Sequence, residues 1–271
     1  MFKVLLSLLI VLIFSISSYA DVIFEIDQKQ INPEATHKTK GMVKGKNFKM
    51  DFYENGEKLD GSMIYRGDTK EMIMVSHQDK SYVVLDEATL KELAGVMSQA
   101  MAEFEQAMKD ATPEERAMME QALKGRMPGM GDSEVVEPII KKAGSSKVNS
   151  YSCTLYDVYK GDEKTSQHCV APWASIEGGA EMKTVMLEMA NFMDEMAKSF
   201  SKSKGFMGKQ MQFENNVFAQ LRKMDGFPVQ TIDYDNGQVD SESQLASTKK
   251  TAVNAADLEP PAGYTRQNMG L

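Results

Sequence analysis

Cysteine, histidine, proline and tryptophan are all scarce in this chain of 271 residues, with 2, 3, 8 and 1 copies respectively. So few prolines, beside 42% hydrophobic residues, exclude a collagen-like or wholly disordered chain, and two cysteines exclude a disulfide-dense miniprotein. The sequence lacks Gly-x-Ser-x-Gly, a P-loop, His-Glu-x-x-His, an EF-hand loop and Cys-x-x-Cys. A nucleophilic centre would have to draw on His37, His77, His168 and one cysteine pair, which leaves little to work with. Adjacent acids such as Glu114-Glu115 and Asp194-Glu195 fall on expected helices and read as solvated faces rather than acid–base pairs. No catalytic residue is assigned, and no enzyme is expected. Positive charge is also short: the formal net charge is −8, with no Lys/Arg cluster interleaved with aromatics. Such a chain is repelled by nucleic acid and by anionic headgroups, so nucleic-acid binding is not expected.

Long hydrophobic runs are missing except at the start. One basic residue, Lys3, precedes an apolar run from Val4 to Ile16, and small residues stand at Ser18 and Ala20. This is the pattern of a secretory signal peptide over residues 1–20, cut between Ala20 and Asp21. The run is short of the roughly 20 apolar residues a membrane span needs. The expectation is a periplasmic or secreted protein that does not span a membrane after cleavage, with residues 21–271 as one domain.

In an oxidising compartment, an even cysteine count points to a disulfide between Cys153 and Cys169. Residues 149–159 and 164–172 read as strands around the turn signal Gly161-Asp162, and a hairpin closed at 161 would put the two cysteines opposite each other. Such a bridge would contribute roughly 2–4 kcal/mol. A redox or metal pair beside His168 is the alternative, but one histidine does not complete a metal site.

Between 22 and 85 the chain reads as an antiparallel meander, with Asn55-Gly56 as its strongest hairpin signal. The period then changes. Asp86 can cap a helix to about Asp110 whose apolar face carries Leu90, Leu93, Met97, Met101, Phe104 and Met108. Thr112-Pro113-Glu114-Glu115 is a capping box that starts a second helix to about Lys124, followed by a loop over 126–134. A third helix over about 179–202 carries the stripe Met182, Met186, Met189, Met193 and Met196, and a fourth runs from about Gln212 to Lys223. Strands return at 228–235 and 238–249 around Asn236-Gly237, and the tail is irregular. The order predicts an α+β domain with helical insertions near 87–124 and 179–223, packed on one face of an antiparallel sheet.

The segments Met63-Ile64-Tyr65-Arg66 and Met72-Ile73-Met74-Val75, with the Pro-Pro-Ala-Gly-Tyr tail, resemble the lipoprotein-carrier (LolA/LolB-like) half-barrel. Closer still is a resemblance to an uncharacterised secreted bacterial family, domain of unknown function 4412. Ser81-Tyr82-Val83-Val84-Leu85, the stretches Tyr151-Ser152-Cys153 to Val170-Ala171-Pro172-Trp173, and Gly226-Phe227-Pro228-Val229 carry it. The resemblance covers about residues 22–265. It implies a curved sheet whose concave face is covered by helices. The long Met-rich helices and the internal cysteine pair depart from the carrier pattern, so lipoprotein transfer and carrier ligand sites are not carried over.

Beyond residue 20 there are 21 methionines against 11 leucines. Methionine is a good helix former that fills irregular gaps, so the stripes can simply be core. They can also form a deformable groove for an apolar ligand such as a lipid or acyl chain. Met97, Met101, Phe104 and Met108 would then be one wall, and Met182, Met186, Met189, Met193 and Met196 the other. A third reading is Cu(I) held by thioethers, with Met127 and Met130 in the loop as the candidate ligands. Amphipathic Met faces could also dock on an envelope protein partner. The groove, without a cofactor, is the favoured expectation. The copper-binding envelope protein and a ligand-free interaction module are its rivals.

Overall fold

The computed structural model describes residues 21–31, 33–112, 114–116, 118, 137–201 and 222–268. The expected signal segment with Ala20, the loop with Met127 and Met130, and most of the second and fourth expected helices lie outside the described residues. So do the side chains of Met97 and Met101, although both belong to a described helix.

The first meander is β1 (Val22–Gln30), β2 (Ala35–Lys44), β3 (Asn47–Glu54), β4 (Lys58–Arg66), β5 (Glu71–Ser76) and β6 (Ser81–Leu85). Helix α1 (Glu87–Asp110) follows. A second run of strands comprises β7 (Ile139–Val148), β8 (Tyr151–Lys160) and β9 (Glu163–Ala171). Helix α2 (Gly179–Ser201) precedes β10 (Phe227–Asp235), β11 (Gln238–Lys250) and the two-residue β12 (Thr265–Arg266). All twelve strands form one sheet in the order β12-β6-β5-β4-β3-β2-β1-β11-β10-β9-β8-β7. Two meanders therefore meet where β1 pairs with β11, with Val22 opposite Lys250 and Gln30 opposite Ser241. Every pairing is antiparallel except β12 on β6. The result is an open curved half-barrel with helices on its inner face: the element order implied helices on one face of an antiparallel sheet, and the family resemblance implied the curvature.

Local chemistry accounts for the elements. Asn236 and Gly237 (φ 50° and 76°) adopt the left-handed pair that a two-residue hairpin requires, and Asn55 and Gly56 (φ 51° and 73°) take the same pair in the three-residue turn between Glu54 and Lys58. Asp86 caps α1 by accepting the Thr89 N–H at 2.7 Å. The capping box closes in both directions: Thr112 N–H donates to Glu115 Oε2 at 2.9 Å, and Glu115 N–H to Thr112 Oγ1 at 3.3 Å.

Strand alternation divides the side chains between two faces. On the inner face Val22, Phe24, Phe48, Tyr65, Phe227, Val229 and Leu245 join Met182, Val185, Met189 and Phe192 of α2 in one core. On the outer face the C-terminal segment lies across the sheet. Val253 and Leu258 pack with Met42, while Tyr264 packs against Ile64, Ile73, Val75 and Val84.

Three features depart from expectation. Cys153 and Cys169 form the disulfide, with Cα atoms 5.3 Å apart, but they are not directly opposite. The turn is flanked by Lys160 and Glu163, and a bulge between Val158 and Tyr159 shifts the register again, so Cys169 faces Leu155 and the bridge runs diagonally. The ladder is β7–β8–β9, and β7 was not anticipated. Its Lys141-Lys142-Ala143-Gly144-Ser145-Ser146 core has no apolar alternation, and it is exposed along most of its length, as suits a sheet edge. Finally, the tail is only partly irregular. It holds a short 3-10 turn, Ala255–Leu258, and the β12 pairing.

Candidate functional site

The inner face offers a cavity of about 250 Å³ beside α2. Among the described residues, Trp173, Met186, Leu187, Ala190 and Pro228 make its apolar walls, and Lys183, Arg222 and Asp225 stand at its rim. Trp173 follows β9 in a single 3-10 turn and packs edge-on against Phe227 at 5.8 Å, which sets one wall against the core. Met186, Leu187 and Ala190 come from one flank of α2. Ion pairs tie that flank to the segment before β10. Lys183 Nζ lies 2.8 Å from Asp225 Oδ1, and Arg222 donates to Asp194 Oδ2 at 2.8 Å and to Asn191 Oδ1 at 3.2 Å.

The Met stripe is divided by this geometry. Met182 and Met189 are 0% and 4% exposed and sit in the core beneath α2. Met193 and Met196 are half-buried and packed against the same core. Met186 alone of the expected groove residues lines the cavity among those described. On α1, Phe104 and Met108 are half-buried, and α1 packs against both β6 and α2. Asp21, expected to begin the processed chain, is fastened to the fold: its carboxylate accepts from Lys44 at 2.7 Å and from Val253 N–H at 2.9 Å.

The sequence reading passed over Trp173, Leu187, Ala190, Pro228 and the rim. A signal was present for part of it. Lys183, Met186, Leu187 and Ala190 follow i, i+3, i+4, i+7, a second helical stripe beside the Met stripe.

The outer face holds a buried hydrogen-bond chain. Lys49 Nζ is 3.0 Å from Asp51 Oδ1, and the Ser62 hydroxyl donates to that same oxygen at 2.5 Å. His77 Nε2 is 2.8 Å from Ser62 Oγ, and its Nδ1 is 2.9 Å from the Tyr264 hydroxyl. Because Ser62 gives its hydrogen to Asp51, Nε2 of His77 must carry the ring proton, and Nδ1 accepts from Tyr264. Ser62 is 2% exposed, so this Ser–His contact is a structural link and not an accessible nucleophile. A second histidine, His168, is held between the Ser166 and Thr231 hydroxyls at 2.9 and 3.0 Å.

Both rings titrate below the ordinary imidazole value of 6.5. For His168 burial lowers it and Asp233 opposes. For His77 burial again leads, Asp51 and Asp60 oppose, and Lys49 adds to the lowering. The folded chain thus binds fewer protons than the unfolded one just below that value. Stability is complete above it and declines as pH falls. The urea midpoint is expected to be level above about pH 6.5 and to drop toward about pH 5, with His168→Gln flattening part of the drop. A midpoint unchanged across that range would refute the assignment. The Asp86 carboxylate, held below its ordinary 3.8 chiefly by the Thr89 backbone N–H, contributes in a separate and more acid window.

Among the described residues, no group of three or more His, Cys, Asp or Glu is placed to hold a metal, and no helix is long and apolar enough to cross a membrane.

A family model described as "Domain of unknown function (DUF4412)" matches residues 87–264, from the first turn of α1 to Tyr264. No curated protein matches the sequence. Similar solved structures include an uncharacterized conserved protein from Thermus thermophilus, with 8% identity, TM-score 0.45, and 92% of this chain and 90% of that one covered. The MucA/MucB complex of Pseudomonas aeruginosa is similar at 8% identity and TM-score 0.37, over 90% of this chain and 57% of that one. A LolA superfamily protein from Nitrosomonas europaea is similar at 6% identity and TM-score 0.32, over 89% and 90%.

Proposed function

We propose that this chain, which belongs to the DUF4412 family of domains of unknown function, is a non-catalytic binding protein of the periplasm that takes a lipid or other acyl ligand into the cavity beside α2. The observation that carries this reading is the cavity itself. It joins a tryptophan, a methionine, a leucine, an alanine and a proline in one concave surface beside Lys183, Arg222 and Asp225, the make-up of a site for a largely apolar ligand. Met186 adds an adaptable thioether to that wall. Export supports the location, through the apolar run and small-residue cleavage pattern of residues 1–20.

Native mass spectra of the full chain, purified without detergent, test the proposal. The expected result is an adduct of lipid size that leaves on organic extraction and returns when extracted lipid is added back. Leu187→Asp should abolish the adduct without unfolding the chain, because Leu187 is 38% exposed and its replacement puts a charge on the cavity wall rather than in the core. Met189→Asp would be uninformative, since Met189 is buried under α2 and its replacement would disturb folding. A bare mass before and after lipid addition would end the proposal.

A further inference from the structure

We infer that the ligand of this cavity is a single-chain amphiphile with an anionic head, its tail along Met186, Leu187 and Trp173 and its head at Lys183. The inference rests on the apolar-cavity reading and adds the chemistry of the head.

The charge at the rim differs from that of the whole molecule. The chain carries a formal −8, yet at the mouth the two cations Lys183 and Arg222 are balanced by Asp225 and Asp194. An anion is therefore repelled by most of the surface but not at this mouth, where displacement of Asp225 gives it Lys183 as a partner. The same contrast disfavours docking on an anionic bilayer and favours capture of a dispersed, monomeric amphiphile.

The rim can also exchange partners. Lys183 is paired with Asp225, whose side chain is 74% exposed, against 40% for Lys183. An ion pair this open to water contributes little, so a ligand head can take the place of Asp225 at small cost. Arg222 is placed differently. Asp194 and Asn191 each take one of its hydrogen bonds and hold the guanidinium over the flank of α2. That anchor lies about two turns beyond Lys183, past Met186, Leu187 and Ala190, so Arg222 stands at the tail end of the wall and not beside the head. The apolar walls begin one turn beyond Lys183, at Met186 and Leu187, so head and tail are separated along α2 as an amphiphile requires.

Trp173 is the only tryptophan of the chain and lines the cavity, so its fluorescence reports occupancy directly. The full chain would be titrated with four dodecyl probes carrying a bromine near the chain end: carboxylate, phosphate monoester, primary alcohol and trimethylammonium. At low ionic strength the carboxylate or the phosphate should quench at about tenfold lower concentration than the alcohol, with the ammonium weakest, and about 1 M salt should remove most of the difference. A preference for one anion over the other would identify the head. Lys183→Gln should reduce the anion preference severalfold. Asp225→Asn should increase it, because the competing carboxylate is gone; a purely structural role for the pair would not produce opposite shifts. Equal quenching by all four probes would overturn the anionic head and leave the apolar cavity standing. Quenching by none would overturn both.

Discussion

Phe24→Ala should cost about 3–5 kcal/mol of folding stability, read as a shift of the urea midpoint at unchanged slope. Phe24 is 1% exposed on β1, the strand where the two meanders meet. Its ring lies over Gly41, its direct partner on β2, so close that a Cβ there would fall 2.0 Å from the ring. Glycine at 41 thus makes the room that the ring fills, and neither residue can change size alone. The ring stacks on Phe48 at 6.1 Å and meets Phe227 edge-on at 6.0 Å, and Phe227 in turn supports Trp173. Truncation would remove one buried aromatic and leave a void between the halves of the sheet. The Trp173 emission should shift as well, because one wall of the cavity is held through this aromatic chain. Val239→Ala, at an exposed position, is the control and should stay within about 0.5 kcal/mol. A loss below about 1 kcal/mol for Phe24→Ala would mean the halves are not joined through this ring.

Asp51→Ala is the second large effect, expected at about 3–5 kcal/mol. Lys49 and Asp51 are 8% and 5% exposed beneath the C-terminal segment, and Asp51 accepts from both Lys49 and Ser62. Removing the carboxylate leaves a buried ammonium without its counter-charge and a buried hydroxyl without its acceptor. Removing both charges is a different matter. Lys49→Met with Asp51→Leu should cost far less than Asp51→Ala, since no uncompensated charge remains. Amide exchange should localise the damage, with Asp51→Ala loosening residues 251–268 through the Ser62–His77–Tyr264 links while the inner-face core stays protected. If the double variant proves as unstable as the single one, the network is held by packing and not by charge pairing.

The features read correctly from the sequence are those whose energy lies within a few residues. Asn55-Gly56 and Asn236-Gly237 adopt the left-handed turns their chemistry favours, and Asp86, Thr112 and Glu115 cap as their spacing implies. The Met stripe of α2 shares a face, as 3.6 residues per turn dictates. Strand β7 escaped notice because an edge strand has no buried face to impose alternation, and β12 because two residues carry no period at all. The cysteine register departs from the expected one through the placing of the turn and one bulge, features that cost little locally and leave no mark in composition.

What the sequence by itself determined was the inventory: two strand-rich segments, amphipathic helices, one cysteine pair, and an apolar start with its cleavage pattern. Only the tertiary structure decided that β1 pairs with β11, that Met182 and Met189 are sealed in the core, and that the neighbouring flank of α2 forms the cavity with Trp173 and Pro228. A periodic stripe says which side chains share a face. What covers that face depends on contacts with α1 and β2, which are remote in the chain, and no local propensity records them.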